Sequence, residues 1–475
     1  HFQLAPRRLS CYRDHRDLPS FPPRRSSDLP RNQHHNFELN VDQALGAKAD
    51  LSASFTYGLN NNDYDPTSTD GWFALLQAPP DLDLKNPNPT VSDVPYFPLL
   101  PDAKAKNARG NPLYQLKNED YNLRRERILG SFALRYRPFE WLNLDANYGT
   151  DRANIRTRRY QFRGYLNEGG SPSTGYLDQR QSNNLSENLQ FNATTRKLLF
   201  SNLLSTTRLS YLRETLDNMN TGAYGSKLNV SAVPDLDALD PTQNTIFSGQ
   251  NTQRTINYFV SQVFDFKDRY ILDALYRRDG SSLFGPNERW QNFYRVAGAW
   301  RVTEDIRIPG IQELKLRAAR GTAGLRPEFS DQYETYSLSS GQISKQQLGN
   351  KNLQPAIQAE NEYGLNVQFL DRFDFELVRA ERVTKGAFLA VPLSLAQSGG
   401  FLRQVRNAAD VSAQTWEVSL QTRVIDTDDF SYSFSLTGDN TKQKIDHMDS
   451  APFRRNATTA QGQDVFYYKS GEKLG

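Results

Sequence analysis

From Phe37 onward apolar side chains recur on every second residue, and this period restricts the chain to strands with one apolar face. Leu51, Ala53, Phe55 and Tyr57 alternate with Ser52, Ser54 and Thr56. Phe132, Leu134 and Tyr136 alternate with Ser131, Ala133 and Arg135, and Leu142, Leu144, Ala146 and Tyr148 with Asn143, Asp145 and Asn147. The last two runs are joined only by Arg137 to Trp141, the spacing of a hairpin. Further hairpins are expected at Tyr258 to Phe264 with Tyr270 to Arg278, Tyr363 to Phe369 with Phe373 to Arg379, and Trp416 to Val424 with Phe430 to Leu436.

The connections are of two kinds. Tight polar turns fall near Lys267-Asp268, Asp371-Arg372 and Asp426 to Asp429, whereas long polar loops are expected over Asn60 to Asp120, Asp151 to Asn188, Glu214 to Gln253 and Gly321 to Gln358. A soluble sandwich or propeller has no reason to gather its long loops at one end; an outer-membrane barrel keeps short turns in the periplasm and long loops outside. Asp273 and Arg277 fall opposite Tyr270, Leu272, Ala274 and Tyr276, as in a wall that is polar towards a lumen and apolar towards lipid. Tyr57, Tyr136, Tyr148, Tyr276 and Trp300 stand near strand ends, where interfacial aromatic girdles sit; cross-strand packing in a soluble sheet is the plainer alternative. The expected fold is therefore all-β, an incomplete antiparallel transmembrane β-barrel of roughly fourteen strands, with no comparable helical stretch.

Composition excludes several classes. The chain holds no apolar run of about eighteen residues, so a transmembrane helix is excluded, but a barrel strand needs only about 9 to 11 alternating residues. The 57 basic and 54 acidic residues are interspersed, leaving no basic footprint for nucleic acid. Cys11 is the only cysteine, which rules out an intrachain disulfide or a Cys-based zinc cluster. His447 is the only histidine after His35, which argues against Ser/His/Asp hydrolysis. Asp428-Asp429 and Glu304-Asp305 lie in expected periplasmic turns, and adjacent strand residues point apart, so both pairs read as solvated turn charges. His34-His35 has no Cys or carboxylate at ligand spacing. No catalytic, metal or cofactor residue is assigned, no cofactor is expected, and no enzymatic activity is expected.

Residues 1–35 are Pro- and Arg-rich and lack both hydrophobic periods, so they are expected to be disordered or foreign, with a headgroup-binding basic arm as the functional alternative. RDLPSFPPRRSSDL within them resembles translated sequencing-adapter read-through. The chain opens at His1 with neither a start methionine nor a signal-peptide pattern, and is expected to be part of a longer protein. The expected division is residues 1–35, then residues 36–475 as part of the barrel, with no plug domain.

The segment DRYILDALYRRDGSSLFGPNERWQNFYRVAGAWRVTED from Asp268, followed by LKLRAARGTAGLRPEFSDQYETYS from Leu314, closely resembles the later barrel strands of the SusC/RagA family of TonB-linked outer-membrane transporters. Arg269, Tyr270, Leu272–Ala274, Tyr276–Ser282 and Phe284 match the family strand RYxLDAxYRRDGSSxF. LGNKNLQPA at Leu348 to Ala356 resembles LGNPNLKPE, and NEYGLNVQFLDRFDFELV resembles the hairpin that follows. Arg320 stands where the family usually has Tyr, Ala356 where it has Glu, and Thr415-Trp416-Glu417 where it has Gly-x-Glu.

The resemblance implies a barrel of about twenty-two strands around an N-terminal plug, of which this chain would supply a part. It also implies a bacterial outer-membrane location, contact with outer-membrane lipid, a TonB box engaging the inner-membrane energy complex, and a SusD-like lipoprotein lid. Cargo would be glycans or oligosaccharides, with peptides as the near alternative. Trp72, Trp290, Tyr333 and Tyr336 are the loop aromatics placed to stack on sugar rings or meet a lid; anchoring of the loops to one another is the plainer reading. A passive porin and a surface adhesin remain as other readings, although an adhesin should carry internal repeats and none recurs at a fixed period.

Overall fold

A computed structural model describes residues 32–63, 83–85, 113–114, 119–165, 172–230, 233–339, 342–454 and 467–473. Six strands form the first half of the sheet: β1 (Asn32–Leu45), β2 (Ala49–Asn62), β3 (Glu119–Phe139), β4 (Leu142–Gln161), β5 (Tyr176–Phe200) and β6 (Leu203–Ser226). β7 (Asn244–Phe266), β8 (Tyr270–Ser281), β9 (Trp290–Arg301) and β10 (Ile311–Leu325) continue it. A small hairpin, β11 (Thr335–Ser339) and β12 (Gln342–Leu348), precedes β13 (Ala356–Phe369), β14 (Phe373–Pro392), β15 (Arg403–Asp426) and β16 (Ser431–Met448). β1 to β10 and β13 to β16 pair in chain order, every pair antiparallel, which gives the fourteen-strand meander expected from the alternation. The hairpin joins this sheet only through a short parallel pairing of Gln347 and Leu348 with Arg403 and Gln404. Among the described residues no helix is long and apolar enough to cross a membrane.

The alternation is realised as two continuous faces. Register carries Leu39, Phe55 and Gly130 into one cross-strand row, and Phe132, Tyr148 and Leu189 into another, all on the same side of the sheet. Side chains on this face stay about half exposed, as with Phe132 at 44% and Phe191 at 47%. Exposed apolar area on this scale is unfavourable in water, and a hydrocarbon surround removes the penalty.

Two hairpins turn through residues with left-handed backbones and no glycine: Lys267 and Asp268 (φ +58° and +57°), and Leu370 and Asp371 (φ +54° and +55°). Asp265 offsets part of that strain by accepting a hydrogen bond from the Asp268 amide at 2.8 Å. In the second turn the left-handed pair sits one residue earlier than the sequence suggested, because Phe369 pairs directly with Phe373 and the two rings stack at 4.9 Å.

The loops are shorter than expected and the strands longer. β4 runs on to Gln161 and β5 begins at Tyr176, so most of Asp151 to Asn188 is ladder; β6 reaches Ser226 and β7 starts at Asn244. β5 alone has 25 residues, well beyond the roughly 9 to 11 that span a bilayer. Past the lipid both faces of a strand meet water, so backbone pairing persists, as at Asn154 with Asn183 and Arg156 with Gln181, while apolar alternation disappears. Asn32–His35 likewise pair with Leu59–Asn62 inside β1, so the strand begins ahead of the boundary expected at residue 36; residues 1–31 lie outside the described residues.

Close apolar packing gathers at the loop end. Tyr160, Leu177, Leu228, Ala238 and Leu239 form one cluster beneath the β6–β7 connection. Leu389, Val391, Ala408, Ala409, Ile445 and Met448 form another at the ends of β14 to β16.

Candidate functional site

The side of the sheet opposite the apolar face is a polar wall, and its charges are ordered by register. Arg135 meets Asp145 at 2.9 Å, Arg127 meets Asp151 at 2.6 Å, and Arg295 meets Asp273 at 2.7 Å. Arg317 on β10 reaches across Gly364 to both Glu362 (2.6 Å) and Glu376 (2.7 Å). These partners lie on different strands, so only cross-strand register reveals the pairs; the sequence singled out Asp273 and Arg277 alone, and Arg277 bonds its own-strand neighbour Asp279.

Towards the loop end this wall holds a recess of about 690 Å³ lined by Arg277, Phe293, Arg295, Arg326, Glu360 and Arg382. Arg326 is held by Thr255 Oγ1 at 3.2 Å. Glu360 and Arg382 stand opposite each other in the β13–β14 ladder, and neither enters an ion pair among the described residues, so a cation and an anion both face the recess.

The expected loop aromatics separate. Trp290 is not in a loop: it opens β9 on the apolar face, 6.1 Å from the Tyr258 ring, with the Arg278 guanidinium 5.4 Å from its centroid. Asp279, Gly280 and Ser281 are the last residues of β8. Tyr333 packs on Phe329 at 5.5 Å, and Tyr336 sits edge-on to Phe401 at 5.8 Å, so both contact neighbouring loop residues. Trp72 lies outside the described residues.

The loops are tied to the wall by polar contacts that no motif announced. Gln332, nearly buried, donates to the carbonyls of Ser282 (3.0 Å) and Leu283 (3.2 Å). Asn407 donates to the carbonyls of Gln354 (2.7 Å) and Gly386 (2.8 Å) and accepts from the Gln354 amide (2.9 Å).

At the turn end, Asp305 is more than a solvated charge. It accepts from the Tyr270 hydroxyl (2.6 Å), the Trp300 indole (3.0 Å) and Arg269 (2.7 Å), and these donors hold its carboxyl below the usual carboxylate range. Tyr270 and Trp300 stack at 6.3 Å, so the carboxylate fixes the polar edges of two girdle rings. His34 and His35, being consecutive strand residues, project to opposite faces and cannot share one ion.

An antiparallel meander with one lipid-type face, one ion-paired face, short turns at one end and long loops at the other is the wall of an outer-membrane β-barrel. Comparison with known proteins narrows this. No family model matches the chain. TonB-dependent receptor P26 of Formosa agariphila is 24% identical over 355 residues, covering 70% of this chain and 35% of that protein. TonB-dependent receptor P39 of the same organism is 28% identical over 205 residues, 41% of this chain and 19% of that protein. Among solved structures, the RagAB peptide transporter superposes with a TM-score of 0.75 at 18% identity, over 90% of this chain and 49% of that one. The ferric-catecholate import receptor Fiu from E. coli gives 0.53 at 11% identity, over 93% and 61%. By sequence the chain is similar to TonB-dependent receptors, its fold is that of the barrel wall in the RagAB transporter, and its place is the bacterial outer membrane. It spans about a third of the length of the first of these curated relatives.

Proposed function

We propose that this chain forms part of the barrel of a TonB-dependent importer, and that the solute is an oligomer bearing charges of both signs, a peptide in the first instance. The carrying observation is the recess at the loop end of the polar wall, where Glu360 and Arg382 lie opposite each other and hold no ion pair among the described residues. A peptide satisfies both with its own carboxylate and ammonium groups, whereas a neutral glycan leaves them unpaired. The fold's likeness to a structure described as a peptide transporter points the same way. An oligosaccharide, the cargo favoured by the family resemblance, calls for aromatic platforms; Trp290 faces away from the lumen, and Tyr336 already packs on Phe401.

In this reading the segment supplies rigid wall and loop selectivity, with no catalytic step. The plug, the TonB contact, the remaining strands and a SusD-like lipoprotein lid belong to the rest of the assembly. The test is uptake by cells carrying the full-length receptor, supplied with either a mixed peptide pool or a neutral oligosaccharide pool as limiting nutrient. Peptide-dependent growth that falls in a Glu360→Ala/Arg382→Ala variant, with the receptor still folded in the outer membrane, supports the proposal. Growth on oligosaccharide alone overturns the peptide reading, and unchanged uptake in the variant removes the recess from it.

A further inference from the structure

Asn257, on the polar face of β7, is 0% exposed, and neither its Nδ2 nor its Oδ1 has a hydrogen-bond partner among the described residues. An amide left unmet in the interior is costly, so its presence in this wall calls for a reason. Its cross-strand neighbours are Leu212 on β6, whose side chain cannot bond it, and Asp279 on β8. Directly opposed side chains stand about 4.5–5.5 Å apart at Cβ, so Asp279 is within reach of Asn257 Nδ2. The Asp279 carboxylate is instead engaged by Arg277 of its own strand.

Both members of that ion pair line the recess, but unequally. The Arg277 side chain is 38% exposed and that of Asp279 15%, so a solute meets the guanidinium first. Arg326 lines the same recess, enters no ion pair among the described residues and donates to the Thr255 hydroxyl at 3.2 Å. Thr255 pairs with Ser281, which makes it a diagonal neighbour of Asp279, about 7–8 Å away. Two guanidinium groups are thus anchored side by side on one carboxylate and one hydroxyl. Asn257 adjoins both anchors, opposite Asp279 and two residues from Thr255 along β7.

We propose that a carboxylate of a bound peptide, its C-terminus in the first instance, takes Arg277 and Arg326, and that Asn257 is the positioning residue that receives what they release. Its Nδ2 donates to the freed Asp279 carboxylate, and its Oδ1 accepts from the freed Thr255 hydroxyl. Without Asn257 the exchange would strand Asp279 as a largely buried charge with no partner, and the arginines would be held back. The amide that is unmet in the free receptor is met in the loaded one, so the protein's own hydrogen bonds favour binding. The inference rests on the peptide reading above and adds to it the group that the recess reads.

The test uses the full-length receptor in detergent and a pool of random octapeptides free of Asp and Glu, made as C-terminal acids and, isotope-labelled, as C-terminal amides. Retained peptide is counted by mass spectrometry. The acids should be retained about tenfold over the amides, and Asn257→Leu should remove most of that preference while raising the urea midpoint, because the unmet amide is gone. A merely structural residue would not move the two in opposite directions. In an Asp279→Ala background, where no carboxylate remains to be received, Asn257→Leu should change the preference by no more than about twofold. Asn257→Ala replaces the leucine variant if the larger side chain prevents folding. Amides carrying one internal glutamate, if retained like the acids, support the exchange with a side-chain carboxylate as its source. Equal retention of acids and amides by the wild type overturns the exchange and leaves the peptide reading intact; retention of neither overturns both. An acid preference that survives Asn257→Leu with the barrel still heat-modifiable on gels also overturns the exchange, the result expected if a buried water answered the amide throughout.

Discussion

Trp290 lies flat across Gly280, its cross-strand partner, with indole carbons 2.8 Å from where a Cβ on Gly280 would stand. The glycine in the Asp-Gly-Ser-Ser run is thus a seat for a ring, not a turn residue. Gly280→Val should lift the indole off the strand, disturb its stack on Tyr258 and destabilise the barrel by about 1–3 kcal/mol. Urea unfolding followed by tryptophan fluorescence, with Trp290→Leu as the second variant, checks this; the valine should cost far less once the ring is gone.

Arg317 is the only cation bonded to both Glu362 and Glu376 among the described residues. The three side chains are a third to two-fifths exposed in a wetted lumen, so each pair contributes only about 0.5 kcal/mol. Arg317→Met should therefore cost about 1 kcal/mol at low ionic strength, and the loss should shrink in 1 M salt, where the Debye length falls to about 3 Å. Urea midpoints at the two salt concentrations give the comparison.

Asn407 clamps the chain before β13 against the bulge at Gly386 through three hydrogen bonds. Asn407→Ala leaves the Gln354 amide and carbonyl without these partners, a local cost of about 1–3 kcal/mol. Amide exchange over residues 350–356 should rise by at least tenfold, with the rungs of β3 and β4 unchanged.

Asp240 in the β6–β7 connection receives hydrogen bonds from Lys227 (2.5 Å) and from the Thr242 amide and hydroxyl, which lower its pKa to about 2. Because the folded value lies below the ordinary one of 3.8, the stabilisation is complete above about pH 4 and is lost as pH falls towards 2. Cleavage of this connection by pepsin should accelerate across that window in the wild-type receptor. Asp240→Asn should be cleaved readily throughout, with little dependence on pH.

The period-two pattern carried the strand positions, the fourteen-strand count and the face each side chain takes, because lipid on one side and water on the other write their difference directly onto alternate residues. Phe132 and Arg135 could be assigned to opposite faces from spacing alone. The same mechanism explains the failure beyond the membrane: at Asn183 or Arg156 both faces are wet, the ladder continues unmarked, and strand was read as loop.

Trp290 was misplaced for a related reason, since an aromatic after a turn-rich run reads as a loop anchor until Gly280 is seen beneath it. Family resemblance along Asp268 to Tyr336 supplied the kind of protein by itself. What only the tertiary structure decided are the relations between strands: Arg317 with Glu362 and Glu376, and Glu360 opposite Arg382 at the recess. A sequence fixes which residues alternate, but cross-strand register depends on turn geometry and on every neighbouring strand at once, and a shift of one residue would exchange the partners on both faces.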